Sequence, residues 1–311
     1  MILITDNIEF AQTCIPGDCV WRDTDISGLD APVLSLSAEL FDTPVISYAK
    51  VPRSEYWDYL FAVDEARESQ YDALSRLAVS GAPLPDRVLC CAGSGRQFHG
   101  FKNRQWTACR GNIHLSAFLK PGMDVEGDAA GFIVAAVMAA LQTVESFDLQ
   151  GAVPAIKWVN DVLIDGAKVG GVLARLQTQG PVTESAVIGI GLNVEQKPSL
   201  KRDDYVPGVA AIADFVGDTM ECHHIDASPL LMENLGRNLA RLLNGQYAGL
   251  LDLYRQNSLV LGRQVSVLKD RQEASSEVVA KGRVEAIGAS LELTIRGHSG
   301  PVTNGRLVLD Y

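Results

Sequence analysis

The segment from residue 154 to residue 194 constrains the fold most, because several strand-like runs follow one another with only short turns between them. The runs are AIKWV, VLI, KVGGVLARL and ESAVIGIGLNV. Asp165-Gly166 predicts a two-residue hairpin, since a type I′ turn needs positive φ at both central residues. Gly180-Pro181 marks a second turn. Antiparallel strands should therefore dominate the middle of the chain, which favours an α+β fold over a doubly wound parallel sheet.

The flanking segments predict further elements on both sides of this region. Strands are expected over 44–51, 87–92 and 112–120, and helices over 54–79, 128–147, 228–245 and 248–256. Ser228-Pro229 reads as a helix start, with a capping residue followed by proline at the first helical position. Residues 1–43 show no helical periodicity. We therefore predict an N-terminal extension of unknown role over 1–43 and a main domain over 44–256.

After Gly262 the character of the sequence changes to short strands separated by turn residues, QVSVLK, EVVAKGRVEAI, SLELTIRG and GRLVLDY. This pattern predicts a small β-barrel over 257–311 that is docked on the main domain, because so few residues bury little surface alone.

Composition excludes several classes of function. The 311 residues carry a net charge of −11, which argues against nucleic-acid binding and against a polybasic membrane surface. The N-terminal sequence lacks the features of a secretory signal, and the apolar run at 129–141 is too short for a bilayer. Six cysteines in so long a chain do not form a disulfide framework, so reduced thiols in a cytoplasm are expected.

A glycine-rich, basic loop at 93–105 is the first candidate for chemistry. Gly93 and Gly95 allow close approach of the backbone to a ligand, and Arg96, Lys102 and Arg104 add positive charge. A strand leading into such a loop can form a phosphate cradle. A mobile surface loop is the alternative.

The second candidate is the segment Ile156–Leu173. Lys157 lies on an apolar strand, where a buried ammonium needs an anionic partner. Asn160 and Asp161 are placed to orient Lys157 or to bind Mg²⁺. A structural salt bridge between Lys157 and Asp161 is the alternative, but Gly170-Gly171 weakens it, since paired glycines in a strand often mark a close ligand.

The third candidate is VIGIGLNV, residues 187–194. Gly189, Gly191 and Asn193 share one face of the strand, because side chains alternate with a period of two. A flat face that ends in an amide suits a planar ligand, whereas close helix-on-sheet packing is the alternative.

Together with GNIHLS at 111–116, these motifs resemble biotin–protein ligases. The resemblance spans roughly residues 87–195, and KWVNDVL is similar to the Lys-Trp-Pro-Asn-Asp core of that family. The order of the motifs also agrees. The resemblance implies a class II synthetase-like catalytic domain with a mainly antiparallel sheet, followed by an SH3-like β-barrel.

The resemblance also implies roles for individual residues. Lys157 and Arg96 correspond to the catalytic cations. The implied nucleotide-binding residues are Gly93, Ser94, Gly95, Arg96, Trp106, Asn160 and Asn193. The implied acyl-binding residues are Gly111, Asn112, His114, Ser116, Lys157, Gly170, Gly171, Gly189 and Gly191. Asp161 would lie near Mg²⁺ and the phosphates.

The expected activity is ATP-dependent adenylation of biotin and transfer to a lysine of an acceptor carrier domain. Neither DNA nor a membrane is expected as a partner, and a homodimer is possible. The family's Asp-Ser-Thr-Asn motif, which binds the ureido ring, is missing from the stretch judged equivalent, residues 62–67. Two alternatives therefore remain open. One is a ligase or transferase for lipoate or octanoate, with Cys109 as a candidate nucleophile, and the other is a non-catalytic homologue.

Overall fold

The computed structural model describes residues 1–51, 54–101, 104–198, 208–217, 222–269 and 277–309. The strands of the main sheet are β1 (Ile2–Thr5), β2 (Arg22–Asp25), β3 (Val45–Lys50), β4 (Tyr59–Ala66), β5 (Val88–Gly95), β6 (Ile113–Leu119), β7 (Met123–Asp124), β8 (Pro154–Lys157), β9 (Asp161–Ile164), β10 (Ala167–Gln179) and β11 (Val182–Leu192). The α-helices are α1 (Ile8–Cys14), α2 (Ala31–Leu40), α3 (Gln70–Ser80), α4 (Asp128–Glu145), α5 (His224–Leu243) and α6 (Tyr247–Gln256).

The main sheet is mixed but mainly antiparallel. Its order in the described part of the chain is β2-β3-β1-β4-β5-β6-β11-β10-β9-β8, and β7 pairs with β11. Strand β4 runs parallel to β1 and β5, while the other neighbouring strands are antiparallel. The predicted mixed α+β class is thereby confirmed. Asp165 and Gly166 both have positive φ, 46° and 80°, as the predicted hairpin requires.

Helices cover both faces of the sheet. One face carries the larger apolar core, into which α4 contributes an almost continuous buried surface. By length and composition α4 is able to cross a membrane, but 72% of it is buried inside the protein. The other face packs against α2 and α3 through a smaller core. A part of this second face that the helices leave open holds the candidate site.

The prediction of a helix from Ser54 to Val79 is wrong over its first half. Residues 59–66 form β4, and α3 begins only at Gln70. Leu60, Phe61, Ala62 and Val63 are all buried, because β4 is covered on both faces. Such a strand reads as a continuous apolar run without alternation. The predicted end is correct, since Gly81 takes a left-handed conformation with φ of 72°.

Residues 1–43 contain the regular structure that the sequence pattern did not reveal. They form β1, α1, β2 and α2, and β1 lies between β3 and β4 within the main sheet. The extension therefore shares its sheet with the rest of the chain. The predicted division into two domains at residue 43 stays a prediction.

The helix predicted to begin at Ser228-Pro229 begins earlier, at His224, and Pro229 lies inside it. Ser228 does not cap this helix, because its hydroxyl donates to the carbonyl of His224 at 2.7 Å. Glu195 accepts from the backbone N–H of His224 at 2.9 Å, which anchors the helix start one turn ahead of the expected position.

The C-terminal strands form a separate sheet in the order β14-β13-β12-β15. They are β12 (Gln264–Leu268), β13 (Val278–Ile287), β14 (Leu293–Ile295) and β15 (Arg306–Leu309). This sheet is docked on the main domain through side chains that bind its backbone. Trp158 donates to the carbonyl of Leu291 at 2.6 Å, and Arg255 donates to that of Ile287 at 2.9 Å.

Candidate functional site

A cavity of about 90 Å³ lies on the sheet face that carries α3. Its walls come from β6, β10, β11, the start of α3, the turn before β9 and the loop after β5. The lining residues that the sequence singled out are Trp106, His114, Ser116, Asn160, Asp161, Gly171, Gly189 and Gly191. Motifs that are far apart in the chain therefore meet in one place, as the resemblance implies.

The glycines of β11 form the floor of the cavity, and two aromatic rings lie directly on them. A Cβ atom at Gly191 would come within 2.4 Å of the Trp106 ring, and one at Gly189 within 3.1 Å of Tyr71. Across the β10–β11 ladder Gly191 pairs with Gly171. The glycines thus create a flat wall on which a ring can stack, and side chains of the protein occupy it in this state.

His114 anchors Trp106 from the neighbouring strand β6. Trp106 Nε1 lies 3.3 Å from His114 Nδ1, and His114 Nε2 lies 3.1 Å from the backbone oxygen of Cys109. Burial lowers the pKa of His114 to about 4, although the bond to Cys109 opposes this shift. The ring is therefore neutral near pH 7, with Nε2–H donating to Cys109 and Nδ1 accepting from Trp106. Cys109 contacts the histidine through its carbonyl.

An ion pair between Lys168 and Asp161 forms one side of the cavity. Lys168 Nζ lies 2.7 Å from Asp161 Oδ1 and 5.9 Å from the centre of the Trp106 ring. Both charged side chains are largely buried, at 23% and 20% exposure. Asn160 donates to the carbonyl of Val172 at 2.5 Å, which holds the turn before β9 against β10. A fixed positive charge and a carboxylate therefore lie beside the stacking wall.

Lys157 lies in an adjoining cleft, which also contains Asn160, Asp161 and Arg104. The far side of this cleft comes from residues 303–307, next to and within β15. Since Arg104, Asn160 and Asp161 line both spaces, the cleft and the cavity adjoin. The small C-terminal sheet is thereby brought next to the candidate site.

Several residues with implied roles lie outside the cavity. Gly93, Gly111 and Asn112 line a different pocket together with α1. Arg96 is exposed, while Ser94 and Gly95 end β5, with Gly95 packed against Phe98. Gly170 packs against Leu192, and Asn193 is buried, its side-chain amide donating to the carbonyl of Ala210 at 3.1 Å. In this structure Gly170 and Asn193 hold the end of β11 in place.

Sequence reasoning missed several residues that line the cavity, chiefly Ser69, Tyr71, Phe98, His99 and Lys168, whereas Arg104 was among the predicted basic residues of the loop. Lys168 carried a visible signal, because it precedes Gly170-Gly171 in the motif that also contains Lys157. Ser69 and Tyr71 were missed because the start of α3 was misplaced. The stretch 62–67, compared with the family's ureido-binding motif, lies mostly in β4, whereas the strand-to-helix junction is at Ser69.

The residues present fit a metal ion only in a limited way. No group of three or more His, Cys, Asp or Glu side chains is placed to hold a metal within the described ranges. Asp161 supplies one carboxylate, which Lys168 already contacts. Mg²⁺ is commonly held by one or two carboxylates, water and substrate phosphates. The donor set therefore suits an ion that arrives with a nucleotide.

Comparison with known proteins agrees with this geometry. Residues 92–193 match the model of the Biotin/lipoate A/B protein ligase family. The chain is 34% identical over 219 residues to the biotin--[acetyl-CoA-carboxylase] ligase of Mycobacterium tuberculosis, covering 68% of this chain and 75% of that protein. It is also 30% identical over 138 residues to the bifunctional ligase/repressor BirA of Bacillus subtilis.

A structural relative shows the same fold at lower identity. The biotin protein ligase from Aquifex aeolicus in complex with biotin and ATP superposes with a TM-score of 0.61 at 18% identity, over 81% of this chain and 98% of that one. The match to B. subtilis BirA spans only 44% of this chain and 42% of that protein.

Fold and cavity thus place the molecule among the ligases that share the biotin/lipoate ligase domain. Within that class the match to the mycobacterial protein is decisive, and the chain belongs to the biotin–protein ligase family. The resemblance read from the motifs is confirmed.

Proposed function

We propose that the protein is an ATP-dependent ligase that adenylates biotin and transfers the biotinyl group to a lysine of an acceptor carrier domain. The observation that carries the proposal is the glycine wall of β11 beside Lys168 and Asp161. A bare strand face accepts a flat ring, and the adjacent cation accepts a carboxylate or phosphate. The names of the relatives supply the particular acid.

The first step would join the acid to AMP. A carboxylate oxygen attacks the α-phosphorus of ATP, and pyrophosphate leaves. Negative charge grows on the phosphoryl oxygens in this step, so fixed cations nearby lower the barrier. We assign this role to Lys168, Lys157 and Arg104, and their positions in the cavity and the adjoining cleft support the assignment. Arg96 is exposed in this state, so its proposed contact with the adenylate requires the loop to move.

A Mg²⁺ ion that enters with ATP would supply further charge neutralisation at the phosphates. Asp161 is the residue proposed to hold it, with Asn160 beside it. Asp161 lines both the cavity and the cleft, which supports this role, and its second carboxylate oxygen would be the one offered to the ion because Lys168 contacts Oδ1.

In the second step the acceptor's lysine amine attacks the acyl carbon, an amide forms and AMP leaves. The loop after β5 would exclude water from the reactive adenylate. The C-terminal sheet, which we propose to be an SH3-like barrel, supplies residues 303–307 to the cleft. It is therefore placed to act in nucleotide binding or in acceptor docking.

The transfer reaction tests the proposal directly. Purified protein is incubated with ATP, Mg²⁺, labelled biotin and a biotin carboxyl carrier domain. We expect label to become acid-stable on the carrier, and only when the carrier retains its target lysine. A carrier with arginine at that position is the matched control. Equal labelling of both carriers, or no labelling of either by folded protein, would contradict the proposal.

A further inference from the structure

The segment that connects β4 to α3, residues 67–69 and here called the junction, forms part of one end of the cavity. Ser69, the last residue of the junction, lines the cavity and is only 6% exposed. Two residues later, the Tyr71 ring lies over Gly189 of the glycine wall. The position of the junction therefore decides the shape of the cavity at Gly189.

The two glycines of the wall have different neighbours. Gly191 pairs with Gly171, and a Cβ at Gly171 would lie 3.2 Å from Lys168 Nζ. Gly189 pairs with Leu173. It is two residues from Gly191 along the strand, a distance of about 7 Å. The junction therefore lies at the end of the wall that is remote from the Lys168 ammonium.

Side-chain capping does not fix the start of α3. Ser69 is the N-cap residue, but its side chain makes no capping hydrogen bond. Such a bond would normally hold the chain where it enters a helix. The backbone carbonyl of Ser69 accepts from Asp72 N at 2.9 Å and from Ala73 N at 3.1 Å. Contacts from outside the helix are therefore needed to fix the junction.

The N-terminal extension packs against both elements that the junction connects. Leu36 of α2 and Phe41, which follows α2, belong to the same buried cluster as Leu74 of α3. The rings of Phe41 and of Phe61 on β4 stack with their centroids 6.3 Å apart. Apolar packing thus brings the end of α2 beside the junction.

Ion pairs join the extension to the junction itself. Asp42, which follows α2, pairs with Arg67 of the junction. Arg76 of α3 donates to both carboxylate oxygens of Glu68, at 3.2 and 2.5 Å, and also to Glu39 of α2. The carboxylates of Glu68 and Glu39 raise the pKa of Arg76. Both charged residues of the junction are thereby connected to the extension, Arg67 directly and Glu68 through Arg76.

These ion pairs are partly exposed, with side chains between 30% and 74% accessible. A single exposed pair stabilises a protein little, whereas a network with bidentate arginine geometry contributes more. Loss of the pairs should therefore loosen the junction, while the apolar packing of α2 keeps the fold intact.

We propose that Glu39 and Asp42 are positioning residues that hold the junction in place. Held in this way, Ser69 and Tyr71 form the Gly189 end of the cavity. The N-terminal extension thereby takes part in binding the acid, although its described residues lie outside the cavity lining. The identity of the acid rests on the proposed function, but the positioning of the junction does not.

The kinetic test combines Glu39→Gln with Asp42→Asn, which removes both carboxylates and keeps the side-chain shapes. In biotin-dependent exchange of labelled pyrophosphate into ATP, the KM for biotin should rise about three- to tenfold, the range expected when two partly exposed ion pairs are lost. The kcat and the KM for ATP should not change, because the Lys168 end of the wall does not depend on the junction. The difference should disappear at about 1 M salt, where exposed pairs are screened.

Glu233→Gln combined with Asp252→Asn is the matched control. It removes the same charge from the pairs Glu233–Arg237 on α5 and Asp252–Arg255 on α6. Neither carboxylate lines the cavity. The KM for biotin should equal that of the unchanged protein, and a rise as large as in the first double variant would overturn the proposal.

Reversal of one ion pair tests whether the effect acts through the junction. Asp42→Arg alone places two cations together and should raise the KM for biotin. Adding Arg67→Asp restores an attractive pair and should lower the KM again, and a KM that stays high would overturn the proposal. If the first double variant does not fold, Asp42→Asn alone is measured, and an unchanged KM would then count against the positioning.

Hydrogen exchange in ligand-free protein separates this proposal from the proposed function. The amide protons of Asp72 and Ala73, which bond to the Ser69 carbonyl, should exchange about three- to tenfold faster when both carboxylates are removed. Faster exchange of these protons without any binding of biotin would refute the proposed function and support the positioning. Turnover of biotin with unchanged hydrogen exchange and an unchanged KM would refute the positioning and support the function.

Discussion

Lys168 and Asp161 form a largely buried ion pair at 2.7 Å, joining β10 to β9 at the edge of the glycine wall. Both residues belong to the same motif as Lys157, but of the two lysines it is Lys168 that lines the cavity. The pair presents its positive charge towards Trp106 and the wall, with Lys168 Nζ 5.9 Å from the centre of the Trp106 ring.

Replacing Lys168 should therefore reduce adenylation strongly. We expect Lys168→Met to lower the rate about 10²-fold, the usual cost of removing a group that stabilises developing charge. Lys50→Met is the control, because Lys50 is exposed on β3 and lies outside the cavity. Initial rates of acyl-adenylate formation check this, and an unchanged rate in Lys168→Met would exclude an electrostatic role.

A methyl group on the wall should block the stacking surface. Gly191→Ala places a Cβ where the Trp106 ring now lies, so the ring must shift and the flat surface is lost. We expect the dissociation constant for the acid to rise about tenfold, a cost typical of misfit in a pocket. Calorimetric titration measures this, with Gly28→Ala as control because a Cβ there meets no atom closer than 4.0 Å. Equal affinities in the two variants would contradict stacking on Gly191.

The pH dependence of stability should contain a contribution from His114. Its pKa is about 4 in the folded protein against 6.5 in the unfolded chain, so between these values the unfolded state binds more protons. Stability from this group is present above pH 6.5 and falls as pH falls, by roughly 3 kcal/mol in all.

His114→Gln removes this titration while keeping an acceptor and a donor in the same place. Urea unfolding at several pH values should show a shallower loss between pH 6.5 and 4 in the variant than in the unchanged protein. Parallel curves would show that His114 is not held neutral by burial.

Docking of the C-terminal sheet should depend on one indole N–H. Trp158→Phe keeps an aromatic side chain but removes the indole N–H, which leaves the carbonyl of Leu291 without its donor and should cost about 1–3 kcal/mol. Trp21→Phe is the matched control, because the buried Nε1 of Trp21 has no hydrogen-bond partner among the described residues. Urea unfolding midpoints measure the stability of both variants. Equal losses of stability in the two would argue against a stabilising bond between Trp158 and Leu291.

The sequence was most informative where backbone chemistry is local. Asp165-Gly166 predicts its hairpin from turn geometry alone, and Gly81 predicts the end of α3. Prediction from the sequence failed where a strand is buried on both faces and so lacks the alternation of polar and apolar residues. In β4 four consecutive buried residues resemble part of an apolar helix. Because the start of α3 depends on the end of β4, Ser69 and Tyr71 were lost from the predicted site by the same error.

The two lysines show a second limit. Motif order indicated that Trp106, His114, Gly189 and Gly191 lie together, and they do line one cavity. Whether Lys157 or Lys168 faces that cavity depends on strand register. A register shift between Lys168 and Gly170 on β10 locally breaks the simple alternation of faces. Such an irregularity is set by tertiary pairing and leaves little trace in the sequence.

The most direct test of the proposed function is acid-dependent exchange of labelled pyrophosphate into ATP, with biotin, lipoate and octanoate offered separately. The proposed function predicts exchange with biotin, the acid in the names of the relatives, and little with the other two acids. Exchange with only lipoate or octanoate would keep the adenylation chemistry and refute the substrate. No exchange with any of them, from folded protein that binds ATP, would contradict the assignment of the glycine wall and Lys168 as an adenylating site.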